Sequence, residues 1–140
     1  MKRRPGFAGR SERAAGMAYK ITIIDEGVVE LRFSDVSSIE EHERARDELA
    51  DLCRKKGLTK VLVDMSEQFS SMGGGTMDLF GFGESFVKGK FPRNASIAVV
   101  GKQASEADED LEFVVTVARN RGFAMELFRD AGDAMTWLLR

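Results

Sequence analysis

The chain holds one cysteine, one histidine and two prolines in 140 residues. A single thiol, Cys53, cannot close an internal disulfide. With His42 as the only imidazole, soft ligands are too few for a structural zinc site. A Ser-His-Asp or Cys-His catalytic centre would have to be built on that one ring. No apolar run approaches the roughly 20 residues that span a bilayer, so an integral membrane protein is not expected. The net charge of −2 gives no overall attraction to a phosphate backbone, and nucleic acid is not expected as a partner. No metal and no cofactor is expected either. These absences point to a cytoplasmic domain with one core.

What is present is unevenly placed. Residues 1–16 carry Lys2, Arg3, Arg4, Arg10 and Arg13 against Glu12, a balance of +4, which leaves −6 on residues 17–140. The leading stretch also holds Pro5, three glycines and one large apolar residue, Phe7. It has neither hydrophobic periodicity nor the apolar run of a secretory signal. It reads as a basic, disordered N-terminal extension, and the folded domain is expected over 17–140.

From Tyr19 onward the pattern alternates between strand and helix. Tyr19 to Ile24 and Val28 to Phe33 are rich in β-branched and aromatic residues and flank Asp25-Glu26-Gly27, which predicts an antiparallel hairpin. A helix is expected from about Ser37 to Lys56, with Ile39, Ala45, Leu49, Leu52 and Cys53 at helical spacing and Gly57 at its end. His42 falls at the edge of that stripe and reads as a packing or surface residue. Val61-Leu62-Val63 and Ala95 to Val100 are unbroken apolar runs, the pattern of strands covered on both faces. Ser105 is expected to open a helix, with Asp108 three residues later as in a capping box. Phe123 to Phe128 reads as the last strand, and Asp130 or Asp133 as the cap of a final helix bearing Ala134, Trp137 and Leu138. The expected order is β-β-α-β-α-β-α-β-α, an α/β fold with a mixed sheet covered by helices. Ligands and partners of such sheets meet the carboxyl ends of the strands, here near Asp64 to Ser71, Gly101 to Ser105 and Arg129 to Asp130.

The segment 66–91 is the most unusual. Gly73, Gly74 and Gly75 precede a helix, where free N–H groups could receive an anion, but the spacing matches no nucleotide-binding loop. The plainer reading is a flexible loop with Thr76 as the helix cap. Ser66, Ser70, Ser71 and Thr76 cluster where the sheet would expose them, as phosphorylation or partner-loop residues or simply as turn residues. Met72, Met77, Phe80, Phe82 and Phe86 make the segment apolar on more than one helical face. Met77, Phe80, Glu84 and Val87 form one row, and Leu79, Phe82 and Phe86 another. One row packs on the sheet. The other is a candidate surface for a protein partner, a second copy of the chain or an apolar ligand, and Gly81, Gly83 and Gly89 favour a mobile cover.

Val61-Leu62-Val63-Asp64-Met65-Ser66 at the end of the central strand resembles the STAS domain in its SpoIIAA-like branch. So do Ile97-Ala98-Val99-Val100, Ala118-Arg119-Asn120-Arg121-Gly122, Leu127-Phe128-Arg129-Asp130 and the run from Ala134 to Trp137-Leu138. The resemblance spans roughly Met17 to Arg140 and implies a non-enzymatic regulator of the anti-sigma-factor-antagonist kind. It also implies a partner resembling an anti-sigma-factor kinase. The family's phosphoryl-accepting serine lies in an Asp-Ser-Ser-Gly motif. Laid on residues 71–74, that motif meets Ser71-Met72-Gly73-Gly74, so Gly73 stands where the serine would be and only Gly74 matches. The related CRAL-TRIO fold binds lipids, which keeps an alternative open: a small apolar-ligand or lipid-binding protein covered by residues 72–91. Acid–base catalysis would fall to Asp64, Asp78 or Glu84, which no carboxylate-pair spacing singles out.

Overall fold

Alternating apolar and polar residues draw the first two strands together. β1 (Tyr19–Ile23) and β2 (Val28–Phe33) pair antiparallel, with Tyr19 opposite Phe33 and Ile23 opposite Val29. The computed structural model describes residues 19–140 apart from 25, 26, 37, 90 and 104. The basic extension at 1–16 and the domain start at Met17 therefore lie outside the described residues.

α1 (Ile39–Lys56) starts where the Ser38 hydroxyl accepts the Glu41 N–H at 3.3 Å and stops where the Gly57 N–H donates to the Cys53 carbonyl. Glu40 and Glu41 lie in its first turn and Arg54, Lys55 and Lys56 in its last, each favourable to the helix dipole. β3 (Lys60–Met65), α2 (Thr76–Lys88), β4 (Ser96–Gly101), α3 (Ala107–Asn120), β5 (Ala124–Phe128) and α4 (Ala131–Leu138) follow. The sheet order is β1-β2-β3-β4-β5, and every pair after the hairpin is parallel. The expected mixed sheet and element order are thus observed.

A sheet that adds strands in one direction through right-handed crossovers places all its crossover helices on one face. α1, α2 and α3 accordingly share one core with Val29, Leu31, Val61, Ile97, Val99 and Met125. Val28, Leu62, Ala98 and Val100 point to the opposite face, where Ala134 and Leu138 of α4 cover them. This explains the unbroken apolar runs in β3 and β4, because successive side chains enter different cores. Asp130 caps α4, its carboxylate accepting the Asp133 N–H at 3.1 Å.

The capping box expected at Ser105 does not form. α3 begins at Ala107, and the Asp108 carboxylate pairs with Arg129 instead of reaching back along the chain. A long-range ion pair has taken the group that the local motif required. The Ser105 Oγ is buried without a hydrogen-bond partner among the described residues.

Gly83 explains how α2 seats on α3. A Cβ there would lie 2.9 Å from Val117 Cβ and 3.0 Å from the Val114 carbonyl oxygen. The glycine marks a close helix approach, where the sequence pattern suggested mobility. Gly83→Ala is expected to lower stability by about 1–2 kcal/mol, although alanine favours a helix by about 1 kcal/mol over glycine. Chemical denaturation checks this, and an unchanged or raised midpoint would show that the helices separate there without strain.

Candidate functional site

The carboxyl ends of β2, β3 and β4 bring three loops together, and their side chains tie the loops to one another. β3 ends in a local turn in which the Asp64 carboxylate accepts the Ser66 N–H at 2.9 Å and the Ser66 hydroxyl at 2.6 Å. Arg32 on β2 approaches the same carboxylate at 3.6 Å. The next residues turn toward the β2–α1 loop. Asp35 Oδ1 accepts the Phe69 N–H at 2.9 Å, the Ser70 N–H at 2.9 Å and the Ser70 hydroxyl at 2.7 Å. These three bonds hold the Asp35 carboxyl below the usual carboxylate range, the Ser70 contribution being largest.

Beneath this surface lies Gln68, fully buried. Its amide accepts the Val36 N–H at 2.9 Å and donates to the Val36 carbonyl at 2.5 Å and the Ser70 carbonyl at 3.0 Å. His42, also buried, places Nε2 3.2 Å from the same Val36 carbonyl. Burial lowers its pKa to about 4, so the ring is neutral at physiological pH and faces the core. From the other side, the Glu106 N–H donates to the Phe69 carbonyl at 2.9 Å, and the Asp110 carboxylate accepts the Met72 N–H at 2.8 Å. The β3–α2 loop is thereby held from both flanks. Phe69 remains 48% exposed, with Lys102 Nζ 5.2 Å from its ring centre.

The residues singled out in the sequence divide accordingly. Ser66 and Ser70 have their hydroxyls engaged by carboxylates, while Ser71 and Thr76 are exposed. Thr76 is the first residue of α2 and not its cap, which is Gly75. The Asp78 carboxylate accepts the Gly75 N–H at 3.2 Å, so a negative group already stands at the helix start whose N–H groups could have received an anion. Gly73 has φ 92°, and a Cβ on Gly74 would lie 2.9 Å from Asp78 Cβ, so both glycines serve the turn onto α2.

Three of the five residues expected on a partner or ligand surface are instead in the core. Met72 is 2% exposed, and Phe82 and Phe86 are each 7% exposed. Leu79, Phe82 and Phe86 form the inward row of α2 and make it a wall of the core rather than a cover. Met77, 77% exposed, and Phe80, half-buried beneath Arg121, stand on the outward row. Met72, Phe82 and Phe86 do line an apolar cavity, but its volume is about 40 Å³. That is room for a few waters, each needing about 10–15 Å³ of such space, and far below the roughly 300 Å³ at which small-molecule pockets begin. A lipid chain placed in this cavity would have to displace the packed core.

The candidate acids are likewise committed to structural bonds. Asp64 holds Ser66, Asp78 holds Gly75, and Glu84 pairs with Arg121 at 2.6 Å. Among the described residues, no group of three His, Cys, Asp or Glu could hold a metal ion, and no helix is long and apolar enough to cross a membrane. Sequence reasoning missed Asp35, Gln68 and Phe69. The Ser34-Asp35 pair after β2 is a turn signal that could have drawn attention to Asp35. Gln68 carries no such signal, since a glutamine among polar loop residues reads as solvent-exposed.

No protein-family model matches the chain, and no curated protein matches its sequence. Among the solved structures that match by shape are two small proteins. The crystal structure of an anti-sigma factor antagonist from Mycobacterium paratuberculosis has a TM-score of 0.60 at 14% identity, covering 91% of this chain and 100% of that one. The NMR structure of the protein TM1081 has a TM-score of 0.53 at 18% identity, covering 100% of this chain and 99% of that one. Identities this low speak to the fold, and with the sheet order and helix placement above they give this chain a STAS-like fold of the kind found in an anti-sigma factor antagonist.

Proposed function

We propose that the protein is a non-enzymatic regulatory module that binds another protein through the β3–α2 loop and the start of α2. The observation that carries this reading is the placement of Phe69 and Met77. Both are large apolar side chains left exposed, one within a loop fastened on two flanks and one on the first turn of α2. A held loop loses less entropy on binding, and exposed apolar anchors on it are the usual centre of an interface.

Charge supports a partner of one kind. Helices α1 to α4 all begin at the carboxyl end of the sheet and carry acids in their first turns: Glu40 and Glu41, Asp78, Asp108 to Asp110, and Asp133. The partner surface is therefore basic around an apolar recess, and association slows as salt rises. The likeness to an anti-sigma factor antagonist suggests that this partner resembles an anti-sigma-factor kinase. Gly73 offers no hydroxyl at the family position, and the Ser66 and Ser70 hydroxyls are held by Asp64 and Asp35. We take binding to proceed without a phosphoryl switch. An intact mass from host cells showing phosphate at Ser66, Ser70, Ser71 or Thr76 would overturn that part.

Calorimetric titration against the anti-sigma-factor-like kinases of the same genome tests the reading. Phe69→Asp and Met77→Asp are each expected to weaken the complex at least about tenfold. Melting should shift by no more than a few degrees, since neither side chain is in the core. Unchanged affinity in both variants, or no binding by the parent protein, would sink the proposal.

A further inference from the structure

Asp35 is the only non-glycine residue with positive φ among the described residues, at 54°. Aspartate tolerates this region better than most residues, though less freely than glycine. The conformation lies at the turn from β2 into α1, and the carboxylate there spans 34 residues of sequence to Phe69 and 35 to Ser70. One oxygen collects three donors, two of them the consecutive backbone N–H groups that flank the Phe69 Cα. Gln68, immediately before, fastens to Val36, immediately after Asp35, from the buried side. Two adjacent residues of one loop thus grip three adjacent residues of the other.

The exposed ring of Phe69 sits within that grip. Its N–H is held by Asp35 and its carbonyl by the Glu106 N–H, so both ends of its backbone are fastened while the side chain stands in solvent. Fastening a backbone around an exposed aromatic side chain does little for the core, but it fixes where that side chain points.

We infer that Asp35 is the positioning residue of the recognition surface, its carboxylate setting the orientation in which Phe69 is presented to a partner. The inference rests on the function proposed above. Asp35 makes no partner contact in this scheme; it acts through the Phe69–Ser70 backbone. The Ser70 hydroxyl is the lesser part of the grip, because the two backbone bonds persist without it.

Amide hydrogen exchange at Phe69 and Ser70, together with affinity for the partner, tests this in four variants. In Asp35→Ala and Asp35→Gly both amides should exchange about tenfold faster or more, and affinity should fall by a similar factor, the equivalent of one charge-assisted hydrogen bond. Glycine adopts φ 54° without strain, so Asp35→Gly separates loss of the carboxylate from backbone strain. Asp35→Asn keeps a carbonyl oxygen at the same place and should restore protection of both amides and affinity to within about threefold of the parent. Ser70→Ala should stay within about threefold as well. Unchanged exchange in Asp35→Gly would show that the carboxylate does not hold the loop. Faster exchange with undiminished affinity would show that holding it has no bearing on recognition. The exchange arm needs no partner, so failure of the parent protein to bind would refute the proposed function separately from the grip itself.

Discussion

Replacing Phe86 by alanine is expected to destabilise the protein by about 3–5 kcal/mol, the range for truncating a buried phenylalanine. Its ring lies 5.3 Å from Phe82, 5.5 Å from Phe91 and 6.3 Å from Phe123, at the centre of an aromatic cluster joining α2 to α3 and β5. The same side chain borders the 40 Å³ cavity, so truncation enlarges a void already present and gives the neighbours little to collapse onto. A fall in melting temperature on the order of 10 °C should accompany the loss. This experiment separates the two roles open to α2. A mobile cover would lose ligand and keep its stability, whereas a core wall loses stability first. A change under about 1 kcal/mol would return α2 to the role of a cover and contradict the packing described above.

Acid should act on the same core through His42. The unfolded chain protonates this imidazole near its ordinary value of 6.5, while the folded protein resists until about 4 because the charged ring would be buried. Between those values the unfolded state holds the extra proton, so stability is full above about pH 6.5 and declines as the pH falls to about 4. At about 1.4 kcal/mol for each unit of pH the loss reaches roughly 3 kcal/mol. The groups nearest the ring moderate this without cancelling it. The Val36 carbonyl and the charge of Asp110 both favour the protonated form, and burial outweighs them. Phe33, 4.5 Å away between centroids, and Phe82, 6.4 Å away, supply apolar surroundings and no counter-charge. Denaturation midpoints measured from pH 7.5 to 4 should trace this slope, and His42→Leu should flatten it. An equal slope in that variant would assign the acid sensitivity to other groups. Asp35 and Glu40 are held below their ordinary values of 3.8 and 4.5, so their contribution fades from the acid end of this window downward, where falling pH neutralises carboxylates that the fold keeps charged.

Cys53 is silent by comparison. Burial raises its thiol to about 11, so it carries no thiolate at neutral pH and serves as a small apolar side chain on α1.

The strands and helices were largely legible because their signals are local. Alternation over Val28 to Phe33, Ser38 and Gly57 at the ends of α1, and Asp130 before α4 each act within a few residues, and the observed elements start and stop close to those signals. The failures share a cause too. Ser105 and Asp108 form an adequate local capping box on paper, yet Arg129, 21 residues beyond Asp108, takes the carboxylate. α2 carries two apolar rows of similar strength, and no local rule says which one meets the sheet. Gly83 decides it, because only one face of the helix can approach Val114 and Val117 that closely.

Scarcity of histidine and cysteine and the order of elements are properties of the chain itself, and they pointed to an α/β binding domain before any contact was known, while the resemblance of its short strand-end motifs supplied the expectation of a STAS-like fold. The site is different in kind. Asp35, Gln68 and Phe69 are ordinary loop residues until parallel pairing of β2 with β3 sets their loops side by side. Whether Gln68 meets water or the Val36 backbone depends on a neighbour 32 residues away, and whether Phe86 is a surface or a core residue depends on Phe91 and Phe123. Periodicity reports the face a residue occupies on its own element. Only the packing of elements against one another sets which face is buried and which loop is held.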